Sequence, residues 1–325
     1  MNPPLVAMEN VTVRFKGAQT VHAVNGVSLT LEPGKVLGIL GESGSGKSVT
    51  LKTLLRLLPE SRSEIGGKVM VDGKDVLALG PQELSSYRGA VTSMIFQDPA
   101  LALDPVYTVG EQIAEAIRRH EKLSAKQAMA RALELLELVR IPSPERRLKA
   151  YPHEMSGGMR QRAMIALALA ARPKLLLADE PTTALDATVQ IQILLLLRQL
   201  QRDLGMGVIF VTHDIGVAVE VSDRLAVMYA GQIVEQGTLR DIVRTPVHPY
   251  AKGLLASTIH GASRGQRLET IPGTPPSLSE RPHNCSFAPR CKLAEPRCLE
   301  QLPANVEVGP GRAARCVLAE PVVAT

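Results

Sequence analysis

Apolar residues recur along this chain in short, nearly continuous runs separated by longer stretches of helical spacing, and that alternation sets the expected architecture. Lys35–Leu40 (KVLGIL), Lys174–Ala178 (KLLLA) and Gly207–Val211 (GVIFV) read as strands of a parallel sheet buried on both faces. Val91–Phe96 reads as another. Val6–Val13 and Val27–Leu31 alternate instead, as an antiparallel pair does, and Lys68–Val71 with Asp72-Gly73 predicts a hairpin. Val49–Leu58, Val109–Arg140, Met159–Ala171 and Ala187–Asp203 carry apolar residues at helical spacing. Arg224–Tyr229 and Gln232–Glu235 close the series as strands around a turn at Gly231. An α/β core is expected, with an antiparallel β subdomain and a helical subdomain inserted over about residues 98–160; Ile141-Pro-Ser-Pro closes its helical block Val109–Arg140.

Between the first two strands sits Phe15, one of only four phenylalanines. It suits either a core position or a ring stacked on adenine.

Composition narrows the class. At 325 residues the chain can bury a full core and add an appendage, and its 45% hydrophobic content is that of a globular protein. No run of 18 uncharged apolar residues is present, so no membrane span is expected. The start, MNPPLVAMEN, lacks the basic and apolar regions of an export signal, and a cytoplasmic protein is expected. A net charge of +5 fits an anionic membrane face and a plain soluble enzyme alike. With aromatics at 3% and no dense basic stretch, a nucleic-acid surface is not expected.

The candidate chemistry sits at strand ends. Gly41–Ser48 (GESGSGKS) follows the first buried strand and precedes a helix, the setting in which backbone N–H groups of Gly41, Glu42, Ser43, Gly44, Ser45, Gly46, Lys47, Ser48 and Val49 cradle phosphates. Lys47 would reach the β and γ phosphates, and the Ser48 hydroxyl would hold Mg²⁺. Ser156 before Gly157-Gly158 caps the next long helix and leaves its start open to an anion. Asp179 ends a buried strand, where a carboxylate completes a magnesium shell. Glu180 beside it suits a general base, and His213 ends the strand after that.

Together these segments resemble an ATP-binding cassette nucleotide-binding domain over roughly residues 5–255, with the domain placed at 1–255. The set comprises GESGSGKS, the Q-loop at Gln97, the signature MSGGM, LLLADE, the D-loop ALD ending in Asp186, and the switch His213. Met155 and Met159 replace the commoner signature residues but lie outside Ser156-Gly157-Gly158. The resemblance implies an ATPase that works as a head-to-tail dimer. Each ATP then meets the phosphate loop of one cassette and the signature of the other. Gln97 is implied as a magnesium ligand and Asp186 as a nucleotide contact.

FQDPALALDP and the HPY of His248–Tyr250 further resemble the ATPase subunits of dipeptide, oligopeptide and nickel importers, in particular the D-type subunit. That likeness implies two membrane permease subunits, a second and different cassette chain, and an extracytoplasmic substrate-binding protein. It also implies a peripheral position on the cytoplasmic face of the inner membrane.

Residues 256–325 form the expected extension, which holds all four cysteines, Cys285, Cys291, Cys298 and Cys316. In a reducing compartment such a set points to metal. The gaps are wider than the pairs of structural zinc sites, and four thiolates also suit a [4Fe–4S] cluster. Similar D-type tails hold such a cluster, which favours it over Zn²⁺. Rich in proline and poor in apolar periodicity, the tail is expected to depend on that cluster for its structure.

Overall fold

The computed structural model describes residues 3–183, 185–257 and 270–321. The chain divides into two compact units. The first comprises residues 3–31, 36–77 and the described residues from 210 onward; the second comprises 32–35 and 78–209.

In the first unit, β1 (Val6–Phe15) lies between β2 (Val21–Leu31) and β4 (Ser63–Val71), antiparallel to both, with the two-residue β5 (Lys74–Asp75) outermost. Val6, Met8, Val11 and Val13 are buried, which is why the strand alternates in sequence. Between β2 and β4 come β3 (Val36–Leu40), fully buried, and α1 (Lys47–Leu54). The helix begins two residues before its apolar pattern does and ends four residues short of Leu58. The anion-binding turn itself supplies its first residues.

The second unit holds α2 (Pro81–Ala90), β6 (Thr92–Ile95), α3 (Pro99–Ala102), α4 (Val109–His120), α5 (Ala125–Leu138) and α6 (Pro144–Leu148). Thr108 and Ser124 cap α4 and α5 through reciprocal bonds with Glu111 and Gln127, and Ile113, Ile117, Ala132 and Leu136 face inward with no exposure. Then follow α7 (Gly157–Leu169), β7 (Leu175–Asp179), α8 (Ala187–Leu204) and β8 (Gly207–Thr212), where the chain returns to the first unit. β6 and β7 pair in parallel.

Back in the first unit, α9 (Ile215–Val221) leads into β9 (Arg224–Tyr229), parallel to β3, and β10 (Gln232–Thr238), antiparallel to β9. α10 (Leu239–Arg244) and α11 (Pro249–Ala256) follow. The described part of the tail adds α12 (Arg297–Glu300), β11 (Val306–Gly309) and β12 (Arg312–Ala314), and β12 pairs with β10.

The tail departs from expectation here. It is not a proline-rich strand of chain held by cysteines alone: Phe287 is 4% exposed and joins Leu225, Val227, Tyr229, Val234 and Tyr250 in one apolar cluster. Arg312 pairs with the fully buried Glu235 carboxylate at 3.0 Å. That carboxylate also accepts the backbone N–H groups of Val247 and His248. Sequence periodicity misses all this because few tail residues insert, each from a turn or an element only a few residues long. Residues 258–269 and 322–325 of the expected extension, and Ala184 of the D-loop, lie outside the described residues.

Candidate active site

The phosphate loop is built in the first unit. β3 delivers the chain at Gly41, and the loop closes into α1 through Gly46, whose φ of 101° belongs to glycine. A Cβ there would lie 2.4 Å from the Ala23 carbonyl oxygen. Gly46 offers α1 no side-chain cap and the first turn holds no acidic residue, so the leading N–H groups face the loop as anion donors. Lys47 is 4% exposed, and its Nζ donates to the carbonyls of Gly41 (2.7 Å) and Glu42 (2.8 Å). Ser45 Oγ is buried without a hydrogen-bond partner, a donor turned into the loop with its capacity unspent. Those features fit an anion such as a nucleotide phosphate. Ser43 and Gly44 are exposed at the tip, while Ser48 and Val49 are half-buried at the helix start.

Glu42 is held on three sides. Its carboxylate takes two bonds from the Arg290 guanidinium (2.7 and 3.0 Å), its N–H donates to Tyr250 Oη (3.0 Å), and its carbonyl accepts from Lys47. Arg290 also donates to Tyr229 Oη and to the Pro272 carbonyl, and it lies over the Tyr229 and Phe287 rings. The Glu42 carboxylate holds the guanidinium charged even more firmly than usual. Glu42 lies within the motif read from the sequence, whereas its partners Tyr250 and Arg290 lie 208 and 248 residues further along the chain. Phe15 is half-buried at the end of β1, opposite Val21 and Ser63, and so is not core. His213 is exposed just past β8.

In the second unit, Asp179 is 5% exposed at the end of β7. Glu180 follows with φ 46°, a left-handed conformation that costs a non-glycine residue about 1–2 kcal/mol. Its Oε2 accepts from Gln97 Nε2 at 3.4 Å and Thr183 Oγ1 at 3.1 Å, so Gln97 and Glu180 are brought together. Ser156 caps α7 by accepting from the Met159 N–H, and Ser156 and Gly157 are exposed. A Cβ on Gly158 would lie 2.9 Å from Val189, so bulk is barred on that side too. Asp186 spends its carboxylate on the Thr188 and Val189 N–H groups as the cap of α8.

The four cysteines line one small pocket in the first unit, together with His248 and Phe287, and no disulfide joins them. The Leu293 N–H points to Cys291 Sγ and the Glu295 N–H to Cys298 Sγ, both at 3.4 Å. Burial pushes the Cys285, Cys291 and Cys316 thiols up, and it pushes His248 down to about 4. Among the described residues, however, no three His, Cys, Asp or Glu side chains gather closely enough to hold a metal ion. A single zinc would draw four sulfurs to about 3.8 Å of one another, given a Zn–S bond of about 2.3 Å. Neither the zinc alternative nor the expected [4Fe–4S] cluster finds a formed set of ligands among these residues.

An α/β chain with an antiparallel sheet and a phosphate loop of this build is a nucleotide-binding protein. Residues 24–183 match the family described as ABC transporter, and residues 234–298 match the oligopeptide/dipeptide transporter C-terminal region. The "Probable peptide ABC transporter ATP-binding protein y4tR" of Sinorhizobium fredii is 49% identical, covering 98% of this chain and 96% of its own length. The oligopeptide transport ATP-binding protein OppD of Bacillus subtilis is 49% identical over 94% of this chain and 86% of its own. Among solved structures, the dimeric post-hydrolysis state of the ATP-binding cassette MJ0796 bound to ADP and Pi aligns at 32% identity and a TM-score of 0.65. It covers 72% of this chain and 99% of that one. The chain belongs to the ABC transporter family, as an ATP-binding protein.

Proposed function

We propose that this chain hydrolyses ATP to drive an importer of dipeptides or oligopeptides. The observation that carries the reading is the match of residues 234–298 to the oligopeptide/dipeptide transporter C-terminal region, joined to near full-length likeness to peptide importer ATPases. No helix among the described residues is long and apolar enough to cross a membrane, and likeness to peptide importer ATPases supports permease subunits as partners. Two such subunits, a second and different cassette, and an extracytoplasmic binding protein make up the proposed assembly on the cytoplasmic face of the inner membrane. The exposed Ser156-Gly157 turn, an anion-seeking helix start, supports docking against the nucleotide of that second cassette.

Each residue has a role in this reading. Lys47 and the loop N–H groups hold the triphosphate, Ser48, Gln97 and Asp179 are magnesium ligands, and Glu180, which the Gln97 amide addresses, takes the proton of the attacking water. His213 is assigned to the γ-phosphate and Phe15 to the adenine face. Magnesium, when bound, spreads the charge that builds on the transferred phosphoryl group.

Co-expression with the neighbouring membrane subunits and cassette is expected to yield one complex, with ATPase activity raised by a peptide-loaded binding protein. Stimulation by DNA or RNA, with no complex, would overturn the reading.

For the cysteine pocket we propose a [4Fe–4S] cluster held by Cys285, Cys291, Cys298 and Cys316. Four cysteines lining one pocket and backbone N–H groups aimed at two of the sulfurs support it. Protein purified without oxygen is expected to be brown and to contain iron and sulfide, and Cys298→Ser to be colourless. Colourless parent protein would remove the cluster.

A further inference from the structure

Glu42 is the only acidic residue in GESGSGKS, and an acid in a loop that binds a triphosphate works against the ligand. Here the carboxylate is 27% exposed and meets the 5% exposed Arg290 in a two-bond fork, 248 residues away along the chain. The guanidinium is fixed in turn by Tyr229, the Pro272 carbonyl and two aromatic rings. Tyr250 fixes the backbone of the same loop residue. A shielded pair of this kind is screened little by salt and loses much when one partner is removed.

We propose that Arg290 is a positioning residue for the phosphate loop: it neutralises and orients Glu42, so that the C-terminal extension sets the strength of nucleotide binding. The inference rests on reading Gly41–Ser48 as the phosphate site. Two properties separate it from a plain tail anchor. The effect is electrostatic, and it passes through Glu42 alone.

ATP binding to the full chain, measured by titration with a fluorescent ATP analogue, tests it. Arg290→Gln is expected to raise Kd about tenfold, since it leaves an unpaired carboxylate beside the phosphates. Kd should also rise more steeply with added salt in the parent than in that variant. Glu42→Gln combined with Arg290→Gln should bring Kd back to within about threefold of the parent, because the repelling charge is gone. Arg290→Lys keeps the charge without the fork and should fall between parent and Arg290→Gln, which gives a reading if the glutamine variant fails to fold. Arg312→Gln breaks the tail's other buried pair, with Glu235, and should leave Kd unchanged. A Kd within about twofold of the parent in Arg290→Gln, no recovery in the double variant, or an equal loss in Arg312→Gln would overturn the proposal. Lys47→Ala is the separate check on the site: if it binds ATP as the parent does, the phosphate-loop reading itself fails.

Discussion

Replacing Glu180 with glutamine is expected to leave ATP binding intact and to lower kcat by about 10²–10⁴-fold, the range that loss of a positioned general base commands. Glutamine has the shape of glutamate and inherits the same left-handed backbone at φ 46°, so the fold has no new strain to absorb. It can still meet Gln97 and Thr183, which now address the carboxylate at 3.4 and 3.1 Å. What it loses is the capacity to accept a proton. The predicted product is a closed dimer that accumulates with ATP, visible by size-exclusion chromatography, alongside single-turnover phosphate release that all but stops. Unchanged phosphate release would assign the base to another residue.

Gly41→Ala is expected to abolish measurable nucleotide binding, with an affinity loss of about 100-fold or more, and to lower Tm by several degrees. The added Cβ would lie 2.2 Å from the Met228 carbonyl oxygen and 2.8 Å from Ser45 Oγ. Met228 is a backbone contact on β9, which is tied to β3 on one side and β10 on the other. Since neither strand can retreat cheaply, the loop must move, and Lys47 loses the Gly41 carbonyl it now holds. Gly17→Ala is the comparison. Its nearest neighbour is a carbonyl oxygen at 3.5 Å, an ordinary contact, and both binding and Tm should match the parent. Equal behaviour of the two variants would mean that close packing around the loop does not govern it.

How much of this could be read from sequence depends on the range over which each feature is determined. Buried strands such as β7 and β8 announce themselves because both faces are apolar, and a cap such as Ser156 binds an N–H group three residues away. The phosphate loop is likewise local. Short helices were harder. The residues of α9, IGVAVEV, are largely β-branched and favour a strand by propensity, yet Asp214 caps them into helix after β8. α2 carried a readable signal, Pro81 at its start and Glu83 reaching back to the Gly80 N–H, and was not anticipated. The tail was least legible. Pairing of β12 with β10 and the Arg290–Glu42 fork join segments far apart in the chain, and no periodicity records which distant partner a lone arginine will find.

The distance between Glu42 and Arg290 also has a timetable. At about 5–20 residues per second, a ribosome delivers the arginine on the order of tens of seconds after the glutamate. The loop's own supports on β9 are made well before Arg290, so on the proposed reading a nascent cassette completes its cradle first and gains the counter-charge to Glu42 only when the arginine emerges and folds back.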